Sequence, residues 1–148
     1  SPALPKPHQQ PHPPIIVGGK GPTRTPALAA RFATEFNVPF SPLDDFVAQT
    51  DRVRAACTTI GRDPSTMTYS AALVACAGVD ESDVVRRAGA MGREPAELRT
   101  NGAAGTVAEV AATVRRWRDG GAERLYLQVL DLDDLDHLAV LADAVRAA

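Results

Sequence analysis

The chain has 148 residues, 45% of them hydrophobic and 23% charged, with a formal net charge of −2 at neutral pH. This is enough chain for one domain with a buried core, and a near-neutral balance without a Lys/Arg cluster argues against a nucleic-acid partner. No apolar run reaches the ~18 residues of a membrane span, and the N-terminus is proline-rich rather than basic and then apolar, so the expectation is a cytoplasmic protein without a membrane partner. Cys57 and Cys76 lack CxxC spacing and sit in apolar-periodic segments, as two reduced core thiols would.

Residues 1–14 (SPALPKPHQQPHPP) are an extended segment, because proline fixes φ and removes a donor. His8 and His12 stand four apart, but that spacing converges on a metal only on a helix, so no metal site is expected. Ile15–Val17 followed by Gly18-Gly19-Lys20-Gly21 reads as a buried strand and a glycine turn. Thr25-Pro26 opens a helix with Leu28, Ala29, Phe32 and Ala33 on one face. Glu35–Phe40 is a second strand. Ser41-Pro42 starts a second helix, with Leu43, Phe46, Val47, Val53, Cys57 and Ile60 as its stripe.

Thr66–Ala77 reads as the third strand, followed by a helix carrying Val84, Val85, Ala88 and Met91 and a further turn at Pro95–Leu98. Asn101–Gly105 reads as a loop, and Thr106 with Glu109 forms a capping box for a helix through Trp117. Arg124–Leu130 is the fourth strand. The last helix starts in the acidic run Asp131–Asp134 and buries Leu135, Leu138, Ala142 and Val145.

Strand then helix, four times over, implies an α/β fold with a parallel sheet covered by helices. An open doubly wound sheet and a segment of a (β/α)8 barrel both fit. A full barrel takes about 250 residues, so four units make half of one. Asn37 and Gln128 are polar positions inside otherwise buried strands, as expected near a barrel mouth.

The strongest chemical signal is Gly18-Gly19-Lys20-Gly21 between strand and helix, where backbone N–H groups and a helix N-terminus favour an anion. It is neither a Walker loop nor a GxGxxG turn, and a tight turn without a ligand fits it as well. Asn101–Thr106 is a weaker candidate of the same kind. His137, one turn into the last helix, is expected at the solvent or an interface. Ser70 and Tyr69 have no neighbouring base in sequence, and the Asp131–Asp136 carboxylates suit a capped helix start better than a metal.

The run PHQQPHPPIIVGGKG followed by TPALAARFATEFNV resembles the luciferase-like monooxygenase family, in its deazaflavin (coenzyme F-420)-dependent oxidoreductase branch. Downstream, GRDPSTM and AGTVAEVAATVRRWRDGGAERLYLQVLDLDDLDHL are similar to the family's capped helix, glycine stop, last barrel strand and closing helix. The resemblance spans the chain from about Pro5 onward. It implies that residues 15–148 are the C-terminal half of a (β/α)8 barrel, strands five to eight. It also implies that Gly18 and Gly19, with Lys20 and Gly21, contact a cofactor phosphate. Asn37 and Val38 would line the pocket, and Asp131 would lie at its substrate rim.

The family's acid and base residues belong to the N-terminal half, so none is carried over, and the chain by itself is expected to be inactive. The cofactor implied is coenzyme F-420, with FMN as the alternative. The partners implied are the missing N-terminal half, a small-molecule substrate and further copies in a homo-oligomer. Two other readings stand beside this one: a non-catalytic half barrel that self-associates to cover its open edges, and a complete small open-sheet domain that binds a phosphorylated ligand at Gly18–Gly21.

Overall fold

The computed structural model describes residues 4–148, so residues 1–3 of the proline-rich segment lie outside the described residues. From Leu4 to Ile15 the chain forms no helix or strand. The elements that follow are β1 (Ile16–Gly18), α1 (Arg24–Phe32), β2 (Glu35–Pro39), α2 (Leu43–Thr59), β3 (Thr68–Gly78), α3 (Glu81–Ala90), α4 (Pro95–Asn101), β4 (Ala103–Thr106), α5 (Val107–Asp119), β5 (Arg124–Gln128) and α6 (Leu135–Arg146). A single 3-10 turn, Pro64–Thr66, leads into β3.

All strand pairs are parallel. β1 pairs β2, β2 pairs β3, and β5 pairs β3 through Ser70–Val74. Strands β1, β2, β3 and β5 thus stand side by side in chain order, each joined to the next by a helical crossover, which is the order of consecutive barrel strands. The register places Gly18 beside Asn37, Asn37 beside Ser70 and Ser70 beside Arg124. Alternation along the strands then sends Phe36, Val38, Tyr69, Ala71 and Leu73 to the helix side, where they form the main core with Ala29, Phe46, Val53, Cys57, Val110 and Trp117. Phe46 and Trp117 meet edge to face at 5.4 Å.

Several expectations change. α1 begins at Arg24 rather than at Thr25-Pro26, and Pro26 sits in the first turn where its missing N–H is an orphan position in any case. α1 buries Pro26, Ala29 and Ala30 while Leu28 and Phe32 are exposed, because small residues let the helix lie close to the sheet. Val47, Ile60 and Val85 are exposed as well. Pro95–Leu98 extends to a seven-residue helix. The stretch read as a loop, Asn101–Gly105, contains β4, which pairs with Ala75–Gly78 at the end of β3. Gly and Ala carry no strand signal, but Gly102 and Gly105 admit the close approach: a Cβ on Gly102 would lie 2.5 Å from the Val74 carbonyl oxygen.

α6 reverses its expected face. His137, Val140, Leu141 and Ala144 are buried, whereas Leu135, Leu138 and Val145 are exposed. The helix is apolar on both sides, so periodicity alone could not choose between them. Both cysteines are buried free thiols, and burial pushes each thiol pKa up. The Thr106–Glu109 cap forms, with the Glu109 carboxylate accepting from the Thr106 N–H at 2.7 Å and from its hydroxyl at 2.9 Å.

Candidate functional site

Parallel sheets build sites at the C-terminal ends of their strands. At that end lies a cleft of about 470 Å³, between the residue after β2, the end of β5 and helix α4. Phe40, Val74, Leu98 and Leu130 give it apolar walls, and Gln128 and Asn101 supply amides. Arg93 and Glu97, paired at 2.6 Å, stand at the α4 side. Gln128, singled out in sequence as a polar position in a buried strand, therefore lines the cleft.

Phe40 is held in an unusual conformation. Its φ is +43°, a left-handed value that is rare for a bulky residue. Two contacts hold it there: its N–H donates to the Ala72 carbonyl oxygen at 2.9 Å, and its own carbonyl accepts from Lys20 Nζ at 3.1 Å. The residue is 47% exposed and lines the cleft. Strain maintained by surrounding structure is characteristic of binding sites. Nothing in composition or periodicity marks Phe40; its φ is the only signal.

The glycine turn lies beside this cleft. Gly19 has φ +141°, and its N–H donates to the Asn37 carbonyl oxygen at 3.3 Å. The Gly18 N–H therefore points the other way, toward the sheet edge that no strand covers among the described residues. Among the described residues the Lys20 and Gly21 amides make no hydrogen bond, and no side chain caps α1. A Cβ on Gly21 would lie 2.7 Å from the Thr25 hydroxyl oxygen, so a larger residue there would have to displace that side chain. Free backbone donors ahead of an uncapped helix, with one lysine, are a donor set that fits an oxyanion. The Gly19 amide is not part of that set.

Asn37 and Val38, adjacent in sequence, point to opposite faces. Val38 is buried on the helix side. Asn37 looks into the barrel interior, where its Nδ2 donates to Ser70 Oγ at 3.0 Å, and the Ser70 hydroxyl donates to Glu35 Oε1 at 2.6 Å. Glu35, 4% exposed, also accepts from the Tyr126 hydroxyl at 2.9 Å and pairs with Arg124. This network of five residues from β2, β3 and β5 was invisible in sequence. Alternation could have placed Glu35, Ser70 and Tyr126 on one face, but only the strand register brings them together. Tyr69 points to the opposite face, where its hydroxyl donates to the Pro64 carbonyl oxygen.

Asp131 sits next to the cleft residue Leu130, with its carboxylate accepting from the Asp133 N–H at 3.1 Å. His137 is not solvent-facing: it is 2% exposed, and its Nε2 accepts from the Ala77 N–H at 2.9 Å. Burial, and then the Arg87 charge, lowers its pKa. Among the described residues no group of three or more His, Cys, Asp or Glu could hold a metal ion, and no helix is long and apolar enough to cross a membrane.

The sequence model of the luciferase-like monooxygenase family matches residues 2–124. No curated protein sequence matches the chain. Among solved structures the fold is similar to an F-420-dependent secondary alcohol dehydrogenase in complex with an F-420–acetone adduct (TM-score 0.72, 15% identity, 90% of this chain and 48% of that one). It is similar also to the monooxygenase RslO1 from Streptomyces bottropensis (TM-score 0.72, 19% identity, 96% and 49%). A third is the oxygenating constituent of 3,6-diketocamphane monooxygenase from the CAM plasmid of Pseudomonas putida, in complex with FMN (TM-score 0.64, 16% identity, 90% and 47%). The chain spans about half the length of these structures. Its parallel strands are half of the corresponding barrel, and the protein belongs to the luciferase-like monooxygenase family.

Proposed function

We propose that this chain is the C-terminal part of a deazaflavin-dependent oxidoreductase that moves a hydride between coenzyme F-420 and a small organic substrate. One observation carries the reading: the free donors of the Gly18–Gly21 turn and the cleft walled by Phe40, Val74 and Gln128 open on the same, C-terminal end of the sheet. The cofactor, when bound, supplies the hydride chemistry. The residues of this chain bind and orient. The amides of Gly18, Lys20 and Gly21 and the start of α1 hold the cofactor phosphate. Asn37 faces the pocket from the barrel side, Val38 backs that wall from the core, the Phe40 ring and Leu130 exclude water, and Asp131 stands at the substrate rim. The acid and base residues come from the N-terminal half of the barrel, and the protein acts in the cytoplasm as a homo-oligomer.

FMN is the second reading, supported by the FMN complex that has the same half-barrel in common with this chain. The native protein isolated from its source decides between them by titration with F-420 and with FMN, followed by absorbance. Saturable F-420 binding that weakens in Lys20→Ala supports the proposal. Binding of FMN alone replaces it with the second reading, and binding of neither overturns both.

A further inference from the structure

A second, smaller pocket of about 180 Å³ lies between the glycine turn, the end of β2 and the first turns of α2. Its polar lining is Lys20, Ser41, Asp45, Gln49 and Arg52. The two cations have only neutral partners. Lys20 Nζ donates to the Phe40 carbonyl oxygen at 3.1 Å, and Arg52 donates to Gln49 Oε1 at 2.7 Å. Neither makes an ion pair among the described residues, whereas Arg54, Arg87, Arg93 and Arg146 each pair with a carboxylate.

The pocket is braced from inside. Gln49 is 2% exposed, and its Nε2 donates to the Gly21 carbonyl oxygen at 2.8 Å while its Oε1 receives Arg52. One buried amide thus fixes both the glycine turn and the guanidinium. Ser41 is buried at the same wall, its hydroxyl donating to the Pro39 carbonyl oxygen. Two positive charges face one carboxylate, Asp45, in a small, polar, concave site. A planar guanidinium and an ammonium lining one small pocket are donors that suit an oxyanion.

The geometry points to a second anion subsite here, formed by Lys20 and Arg52 with Gln49 as the positioning residue. It takes a phosphate or carboxylate group on the side chain of the cofactor, beyond the group held by the turn. The inference rests on the reading that an anionic cofactor side chain enters at Gly18–Gly21. It adds a selection: a side chain with more than one anionic group gains an extra contact, whereas one ending in a single phosphate does not. Lys20 links the two sites, because its ammonium reaches both this pocket and the carbonyl of the strained Phe40 at the cleft.

The test is heteronuclear NMR on the isotopically labelled whole protein that contains this chain, titrated in parallel with inorganic phosphate and with triglutamate. The Arg52 side-chain Nε and Gln49 Nε2 signals report the subsite, and the Gly18–Gly21 amides report the turn. Saturable shifts at Arg52 and Gln49 are expected, weakened about tenfold by Arg52→Gln and strengthened about threefold by Asp45→Asn. The probe that saturates them at the lower concentration identifies phosphate or carboxylate as the preferred group. Shifts at the turn without shifts at Arg52 overturn the subsite and leave the proposed function standing. Shifts at neither overturn both. An Arg52→Gln chain with unchanged circular dichroism and unchanged affinity also overturns the subsite.

Discussion

Arg87 Nε donates to Asp134 Oδ2 at 2.8 Å, which ties α3 to the first turn of α6 across the end of β3. The same guanidinium reaches Asp83 at 2.5 Å and the Ala77 carbonyl oxygen at 2.7 Å, and it is 5% exposed. The Ala77 N–H is taken up by His137, so one residue of β3 is pinned by two helices. Asp134 also caps α6 through the His137 N–H. The segment that carries Leu130 and Asp131 to the mouth of the sheet is thereby fixed at its far end.

Arg87→Ala removes the cation from two carboxylates and leaves the Ala77 carbonyl without its side-chain partner. A loss of about 3 kcal/mol is expected, since breaking a buried ion pair costs far more than an exposed one. Arg86→Ala, whose side chain is 60% exposed beside the same Asp83, should cost under about 1 kcal/mol. Urea unfolding of the two variants checks the difference; equal losses contradict it.

The same clamp sets an acid limit. The hydrogen bond from Arg87 holds the Asp134 carboxyl at about 2, below its ordinary 3.8. A depressed carboxyl contributes stability that is fully present above its unfolded value and is lost as pH falls through its folded value. Stability should therefore decline between about pH 4 and pH 2, with Asp83 and Glu109, both also lowered, adding to the slope. Asp134→Asn should be less stable at neutral pH and should flatten that part of the curve. A slope unchanged by the substitution would remove Asp134 from the account.

Phe40 separates binding from stability. Phe40→Gly relieves a left-handed backbone and deletes a ring that is half in solvent, so the change in unfolding free energy should stay within about 1 kcal/mol. The cleft loses a wall, and affinity for an aromatic or aliphatic probe should fall several-fold. A large destabilisation would mean that the ring is structural.

Gly102 is the opposite case. A Cβ there meets the Val74 carbonyl oxygen at 2.5 Å and the Leu98 carbonyl oxygen at 2.8 Å, both backbone atoms that cannot swing aside. Gly102→Ala should lose at least about 2 kcal/mol and separate β4 from β3. Hydrogen exchange at Ala103–Thr106 reads the separation directly, and retained protection there refutes the prediction.

Ile15–Val17, Glu35–Phe40, Thr66–Ala77 and Arg124–Leu130 announced their strands because branched and aromatic residues between glycine and proline stops leave few alternatives. The order of those strands follows from chain connectivity, and so does the strand–turn–helix context of Gly18–Gly21. By itself the sequence determined the α/β class, the half-barrel length, the family and the glycine turn, all of which depend on neighbours a few residues apart. Tertiary structure alone decided the rest. The Glu35–Ser70–Arg124–Tyr126 network needs the strand register, the meeting of Lys20 with Phe40 needs two loops at one sheet end, and the choice of the His137 face of α6 over its equally apolar opposite needs the sheet beneath it. Each joins residues far apart in the chain, and local pattern carries no information about that separation.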